Sequence, residues 1–314
     1  MVSKVEPLKV AVLMGGVGEE RDVSIQSGTC VTQALKEAGL KTTAADIRPD
    51  SMDILEDKDI DVFFIALHGR FGEDGELQQI LEDKSLVYTG SGPAASRLAF
   101  DKLAGKNRLA KAGIATPKAI RFDAQTEAKK LEKQLLQFGE RFVVKPVRQG
   151  SAVGVSMADD PKSALAAARK CLTKFGDCMI EEFIPGREIT VGILGNQTLP
   201  IIEIKPAEKF YNYHAKYIDE QTEFLFDTIE PTLAAKIQAD ALNCFKSLKL
   251  RHFARVDFIL GDEKKAYALE ANTIPGLTTH SLLPKAAAKA GLSMSDLCVR
   301  IIEAARSSLV KREA

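Results

Sequence analysis

The chain has no apolar run approaching 18 residues, no C-x-x-C pair and no net charge, and each absence closes off a class of function. Crossing a bilayer takes roughly 20 consecutive apolar residues, so no segment is predicted to span one. MVSKVEPLK and the short apolar run before Gly15 lack the form of a signal peptide. The five cysteines, Cys30, Cys171, Cys178, Cys244 and Cys298, are odd in number and unpaired in spacing. That pattern argues against a disulfide framework or a zinc site and for reduced thiols in a cytoplasmic protein. Lys plus Arg and Asp plus Glu each number 43, so no global field draws nucleic acid or an anionic membrane, and any basic site has to be local. Internal repeats and low-complexity stretches are also missing. What remains is a globular chain of 314 residues at 45% hydrophobic content, long enough for two or three domains.

A buried strand at 8–14 runs into the Gly15-Gly16 turn and a helix over 24–38, a second strand follows in the forties, and an apolar run at 62–67 ends at His68-Gly69. A helix over 77–81 and a short strand at 86–89 complete a unit in which strands alternate with helices, the pattern of a doubly wound parallel sheet. Residues 97–113 are predicted helical, 117–122 extended, 126–139 helical, and 142–146 a strand that enters a glycine-containing loop ending at Ser156. An alanine-rich helix over 161–175 and a strand at 178–184 close a small α+β module. Strands at 188–194 and 199–204, a polar tyrosine-rich loop over 206–222, a helix over 231–249, a hairpin and a last helix over 293–309 make up the remainder. The expected domains are 1–96, 97–185 and 186–314.

The hairpin carries the sharpest chemical signal. Strands at 254–260 and 266–272 flank the polar turn 261–265. Centring the turn on Glu263 and Lys264 pairs Val256 with Ala271, Phe258 with Leu269 and Leu260 with Tyr267 on an apolar face, and Asp257 with Glu270 and Arg255 with Asn272 on the other. Like charges directly opposite in an antiparallel pair are destabilising, so a cation between Asp257 and Glu270 is expected. The donors are all oxygens, which suits Mg²⁺ or Mn²⁺. The competing account is a polar edge in which Arg255 neutralises one of the acids.

Other segments carry weaker signals. The loop from Gly15 to Arg21 stands where a dinucleotide-binding protein has its phosphate loop, but Glu19 and Glu20 would repel a pyrophosphate and suit an ammonium group instead. His68 would lie at the same carboxyl edge of the sheet, where open α/β folds place ligands, although a lone histidine there is ordinarily structural. Lys145 and the glycine loop with Gly150, Ser151 and Gly154 fit anionic oxygens; a surface hairpin is the alternative. With a metal beside it, a nucleoside triphosphate becomes the natural shared ligand. Glu181 and Glu182, before Phe183-Ile184 and Glu188, could accept from an adenine amine and ribose hydroxyls or simply be surface charge. Lys102 lies in a Lys- and Arg-rich helix that would ordinarily be solvated. The aromatic segment around Lys216 and Tyr217 is either a lid or a packed core.

In combination these segments resemble the D-alanine:D-alanine ligase family of the ATP-grasp superfamily. The likeness runs from Val10 to Arg306 through GGVGEERDVS, ALHGRFGEDGELQ, YTGSG followed by DK, VVKPVRQGSAVG, EEFIPGRE, FYNYHAKY, RVDF and LEANTIPGLTTHSLLP. It implies a Rossmann-like substrate domain (1–96), a small central ATP-grasp domain (97–185) and a C-terminal ATP-grasp domain with metal and D-alanine sites (186–314). The implied activity is ATP-dependent joining of two D-alanines through a D-alanyl phosphate for peptidoglycan synthesis, by a cytoplasmic homodimer. By the same resemblance, Glu20 holds the ammonium of the first D-alanine with His68 beside it, and Lys102 and Lys145 contact phosphates. Glu181 with the backbone at Phe183 and Ile184 forms an adenine site, and Glu188 contacts ribose. Asp257, Glu270 and Asn272 match ligands of two Mg²⁺ or Mn²⁺ ions, and Ser151 with Tyr217 closes two lids over the site. Arg255 and the Gly276 N–H stabilise an oxyanion, while Lys216 and Ser281 take the carboxylate of the second D-alanine. Ala152, Glu182 and Ile274 depart from common family residues beside backbone contacts. Tyr217 favours an amine acceptor, since relatives that make the D-lactate ester tend to carry phenylalanine there.

Overall fold

The computed structural model describes residues 7–206 and 221–310, with backbone only at 309 and 310. The tyrosine-rich segment with Lys216 and Tyr217 lies outside the described residues. Strands β1 (Lys9–Gly15), β2 (Lys41–Ile47) and β3 (Val62–Ile65) form a parallel sheet in the order β2-β1-β3. Strands β1 and β3 are buried nearly throughout, as parallel strands covered on both faces must be. The expected strand at 86–89 shrinks to a single parallel bridge between Phe63 and Tyr88. Helix α1 (Arg21–Glu37) starts three residues earlier than its apolar periodicity suggested, with Glu20 as its N-cap residue. An acid there favours the helix dipole and sits at the carboxyl edge of β1, level with the end of β3.

After α2 (Glu76–Asp83), the expected helix over 97–113 is two helices, α3 (Pro93–Phe100) and α4 (Lys102–Lys111). The break is at Asp101, whose side chain accepts from the Ala104 N–H at 2.9 Å and so caps α4. A second sheet, wholly antiparallel, runs β4-β7-β5-β6 through β4 (Ala119–Phe122), β5 (Phe142–Pro146), β6 (Ser156–Ala158) and β7 (Cys178–Glu182). Helices α5 (Ala128–Leu135) and α6 (Pro161–Phe175) cover it. Asp160 caps α6 by accepting from Lys162 and Ser163, with Pro161 at the first helical position.

The third sheet contains β8 (Gly186–Leu194), β9 (Gln197–Thr198), β10 (Ile202–Lys205), β11 (Glu223–Leu225), β12 (Phe253–Gly261) and β13 (Ala266–Asn272). Its order is β11-β10-β8-β12-β13, with β9 beside β8. On one side α7 (Pro231–Ser247) packs together with Ala95, Ala99 and Leu109 of α3 and α4. On the other, α8 (Leu282–Lys289) and α9 (Met294–Val310) share a core with the parallel sheet, where Leu283 and Ile301 meet Val12 and Phe64. Helix α8 had no counterpart in the sequence reading. Among the described residues no helix is long and apolar enough to cross a membrane.

The hairpin register is as expected at one end and shifted at the other. Arg255 pairs with Asn272, Val256 with Ala271 and Asp257 with Glu270, but a β-bulge follows, and Phe258 then pairs with Ala268 and Leu260 with Ala266. The expected partners Leu269 and Tyr267 are therefore wrong by one residue. Residues 266–269 are apolar at every position, so alternation there carries no phase to reveal a bulge. Its effect is to put Leu269 and Glu270 side by side in one cavity wall instead of on opposite faces.

Candidate active site

Two cavities of similar size adjoin at the ends of β12 and β13. The first, about 420 Å³, lies between the second and third sheets. Its walls are apolar at Val143, Phe183, Ile184, Ile259 and Leu269, and charged at Lys102, Lys145, Glu181, Glu188, Asp257 and Glu270. The second, about 440 Å³, is gathered from loops of all three sheets and includes Glu20, His68, Glu73, Ser151, Arg255, Asn272, Gly276 and Ser281. Glu270 lines both.

In the first cavity the cations have carboxylate partners. Lys102 Nζ is 2.6 Å from Glu270 Oε2 and donates to the Gln149 carbonyl at 2.8 Å. Burial alone would lower its pKa, but Glu270 raises it above the ordinary lysine value. Lys145 Nζ donates to Glu181 Oε1 at 2.7 Å, and Lys106 Nζ approaches Glu181 Oε2 at 2.6 Å. Burial works to raise the Glu181 pKa, yet the two ammonium groups hold it below the usual carboxylate range. Lys106 is pushed down to about 8 by burial and by Lys145, against the pull of Glu181.

Sequence reading passed over Lys106. The available signal was spacing: Lys102 and Lys106 stand four apart on α4, hence on one face, and that face turns inward once the helix begins at Asp101. Arg108 and Lys111 point outward, as a solvated helix would have them.

Asp257 is the most heavily bonded acid of the site. Its Oδ1 accepts from Arg255 Nε at 2.8 Å and Thr190 Oγ1 at 2.6 Å, and its Oδ2 from Arg255 Nη2 at 2.7 Å and Asn272 Nδ2 at 2.9 Å. A carboxylate offers about four acceptor positions, so Asp257 is saturated. The forked Arg255 contact is the polar-edge alternative to a metal between the two acids. Even so, Glu270 faces Asp257 across the ladder, and Asn272, having turned its amide nitrogen to Asp257, keeps its amide oxygen for another partner. The set is all oxygen and centred on Glu270, which fits a hard divalent cation that shares its shell with phosphates. Among the described residues no cluster of three or more His, Cys, Asp or Glu side chains could hold a metal by itself.

In the second cavity Glu20 is packed between glycines. A Cβ at Gly69 would come 2.2 Å from Glu20 Oε2, and one at Gly150 would come 2.7 Å from Oε1. Ser151, at the tip of the loop after β5, donates to Glu20 Oε1 at 2.5 Å. Ser151 and Ala152 hold φ of 52° and 57°, a conformation costing on the order of 1–3 kcal/mol each outside glycine. The glycine loop is thus seated over the second cavity, with its base on Lys102.

His68 Nδ1 is 3.0 Å from the Ile274 carbonyl, which only accepts, so Nδ1 carries the proton. Nε2 then accepts from Ser27 Oγ at 3.0 Å, and Ser27 Oγ in turn accepts from the Leu277 N–H at 3.3 Å. Burial, helped by Arg255 and resisted by the Ile274 contact, lowers the His68 pKa to about 4. The imidazole is neutral and ties the parallel sheet to the loop that carries Gly276.

Glu73, also missed, accepts from the Gly69 N–H at 2.8 Å and the Ile274 N–H at 3.3 Å. Burial and the nearby Glu20 charge raise its pKa to about 8. No local pattern marks it, since its second partner lies 201 residues away. Ser281 is the N-cap residue of α8 and its Oγ accepts from the Thr278 N–H at 3.1 Å. A Cβ at Gly276 would lie 2.7 Å from Ser281 Oγ, so a larger residue there would displace the serine hydroxyl. Of the residues given a role by the family resemblance, all but Lys216 and Tyr217, which lie outside the described residues, line one of these two cavities; Glu19 and Gly154 line neither.

The family model described as D-ala D-ala ligase C-terminus matches residues 109–303, and that described as D-ala D-ala ligase N-terminus matches 40–91. The chain is 43% identical over 298 residues to the D-alanine–D-alanine ligase of Syntrophotalea carbinolica, covering 95% of this chain and 96% of the relative. It is 42% identical to that of Trichlorobacter lovleyi, covering 93% of each. Among solved structures it superposes on the D-alanine–D-alanine ligase from Bacillus anthracis complexed with ATP with a TM-score of 0.85, at 33% identity over 98% of this chain and all of that one.

Proposed function

The chain belongs to the D-alanine–D-alanine ligase family and is an ATP-dependent ligase of cell-wall synthesis, and we propose that its two cavities divide the reaction, ATP in the first and two D-alanines in the second. The observation that carries this reading is Glu270, which lines both. Cation-bearing walls on one side suit a triphosphate, and the acids of the other side suit ammonium groups.

In the proposed cycle Glu20 holds the ammonium of the first D-alanine, with neutral His68 fixing the loop beside it. The D-alanine carboxylate then points at the shared wall and attacks the γ-phosphate, giving D-alanyl phosphate and ADP. Lys102 and Lys145 exchange their carboxylate partners for phosphate oxygens and neutralise the developing charge. Glu181 and the backbone at Phe183 and Ile184 take the adenine, and Glu188 the ribose. Asp257, Glu270 and Asn272 would hold two Mg²⁺ or Mn²⁺ ions, with Asp257 giving up one of its present partners. Such ions would supply charge neutralisation for the phosphates.

The amine of the second D-alanine then attacks the acyl carbon. The resulting oxyanion is met by Arg255 and the Gly276 N–H, and its collapse expels phosphate and leaves the dipeptide. Ser281, at the N-terminus of α8, receives the carboxylate of the second D-alanine, together with Lys216. The loop carrying Ser151 excludes water from the acyl phosphate, with Tyr217 as its partner.

We propose the same division for the domains, 1–96, 97–185 and 186–314, and a cytoplasmic homodimer as the working form. ADP release measured with ATP, Mg²⁺ and a panel of D- and L-amino acids tests the assignment. Release is expected with D-alanine and not with L-alanine, and absence of D-alanine-dependent release would refute it.

A further inference from the structure

Lys106 is buried and does not line either cavity, yet its ammonium makes a full set of contacts. It pairs with Glu181 Oε2 at 2.6 Å and donates to Thr116 Oγ1 at 2.7 Å and the Pro117 carbonyl at 3.2 Å. The segment that supplies those last two partners is itself pinned, since the Ala115 carbonyl accepts from the Ala268 N–H at 2.8 Å, beside the bulge in β13. Glu181 thus stands between two ammonium groups, one reaching into the nucleotide cavity and one behind it. When Lys145 turns to phosphate, Lys106 is the ammonium that stays on Glu181.

Lys145 donates to Oε1 and Lys106 holds Oε2 as an ion pair without an aligned hydrogen bond, so most of the roughly four acceptor positions of the carboxylate remain. Glu181 lines the cavity, and its remaining acceptor capacity is available there. Without Lys106 the carboxylate would be free to rotate away from the cavity. An acceptor aimed at the 6-substituent distinguishes a 6-amino group, which donates, from a 6-oxo group, which only accepts.

We propose that Lys106 is a positioning residue for nucleotide choice: by holding Glu181 Oε2 it keeps an acceptor of Glu181 turned to the cavity, where it selects the 6-amino group of adenine. This rests on Glu181 forming part of the adenine site. A merely structural Lys106 would contribute to thermal stability without affecting the choice of base.

The test compares kcat/KM for ATP and for inosine triphosphate in the full-length enzyme with D-alanine, alongside Tm. In Lys106→Met the ATP preference should fall by about tenfold or more, the value of one hydrogen bond to a charged group, through KM for ATP with kcat within about threefold. Thr116→Val, which takes away a single anchor and keeps the ion pair, should lower the preference in the same direction by a smaller factor and decides the matter if Lys106→Met does not fold. Glu181→Gln is the control, because an amide can present either a donor or an acceptor and should abolish the preference. If Glu181→Gln keeps the wild-type preference, the adenine assignment is wrong. If it abolishes the preference while folded Lys106→Met, or Thr116→Val in its place, retains it, the role of Lys106 is refuted and the adenine assignment stands.

Discussion

The cavity proposed for the nucleotide is walled by β5, β7, β8, β12 and β13, regular strands, and its two lysines are paired ion to ion, Lys102 with Glu270 and Lys145 with Glu181, which Lys106 backs from behind the wall. The cavity proposed for the amino acids draws more on loops. Beside Arg255 of β12, Glu270 and Asn272 of β13 and the first turns of α1, it is assembled from the turn after β3, the loop after β5 and the segment 274–282, and its acids are held by backbone N–H groups and by close-packed glycines. In the proposed division, a large, polyvalent anion needs cations kept charged and poised, and Lys102 and Lys145 would be held on carboxylates until phosphate replaces them. A small zwitterion needs shape, which the loops supply by crossing over one another at Gly69, Gly150 and Gly276.

Breaking the shared wall should have the largest effect. Glu270→Gln is expected to lower D-alanine-dependent ADP release by about a thousandfold or more, since it removes a charge from the site of phosphoryl transfer, while circular dichroism and Tm report a folded protein. Retention of full activity would show that the two cavities do not meet at this residue in function.

The contrast between the cavities is sharpened by a paired substitution. Glu20→Gln should raise KM for D-alanine by about 10- to 100-fold, the worth of a hydrogen bond to a charged group, and leave KM for ATP within about threefold. Lys145→Met should do the reverse. Equal effects of both variants on both substrates, measured by initial rates, would mean that the chambers are not separate.

The smallest effect is on stability and belongs to His68. Its pKa is about 4 in the fold against the ordinary value of 6.5, so the unfolded chain binds the proton more readily and folding favours the neutral ring. Stability therefore rises with pH between about 4 and 6.5, and the contribution is lost as pH falls through that window. The amount is on the order of 3 kcal/mol. Urea unfolding at a series of pH values should show a shallower acid-side decline in His68→Gln than in the wild type; identical slopes would remove His68 as the cause.

What was legible in the sequence follows the same division. In the strand-built cavity, the facing of Asp257 with Glu270 and Arg255 with Asn272 came from simple alternation, because those residues alternate with Val256 and Ala271 in polarity. The register beyond Asp257 was not legible, since Tyr267, Ala268 and Leu269 give no polar phase to betray the bulge. Lys106 was hidden by its neighbours: Arg108 and Lys111 gave α4 the look of a solvated helix, and only the break at Asp101 turns Lys102 and Lys106 inward. In the loop-built cavity, Glu20 and His68 could be placed at one sheet edge because β1 and β3 are parallel and adjacent. Glu73 could not, for its environment is made by Ile274 and Glu20, far away in sequence. Helix α8 was missed because its proline and alanine-rich run, Leu282–Lys289, is short and buries only one face.

In the proposed reaction a carboxylate seated in one cavity is phosphorylated from the other. This step is tested most directly by following oxygen atoms: D-alanine carrying oxygen-18 in both carboxylate positions is incubated with ATP, Mg²⁺ and the enzyme, and the inorganic phosphate is analysed by mass. Attack of the carboxylate on the γ-phosphate, followed by expulsion of phosphate from the acyl carbon, predicts one oxygen-18 in each phosphate released during dipeptide formation. Unlabelled phosphate formed together with dipeptide would contradict it.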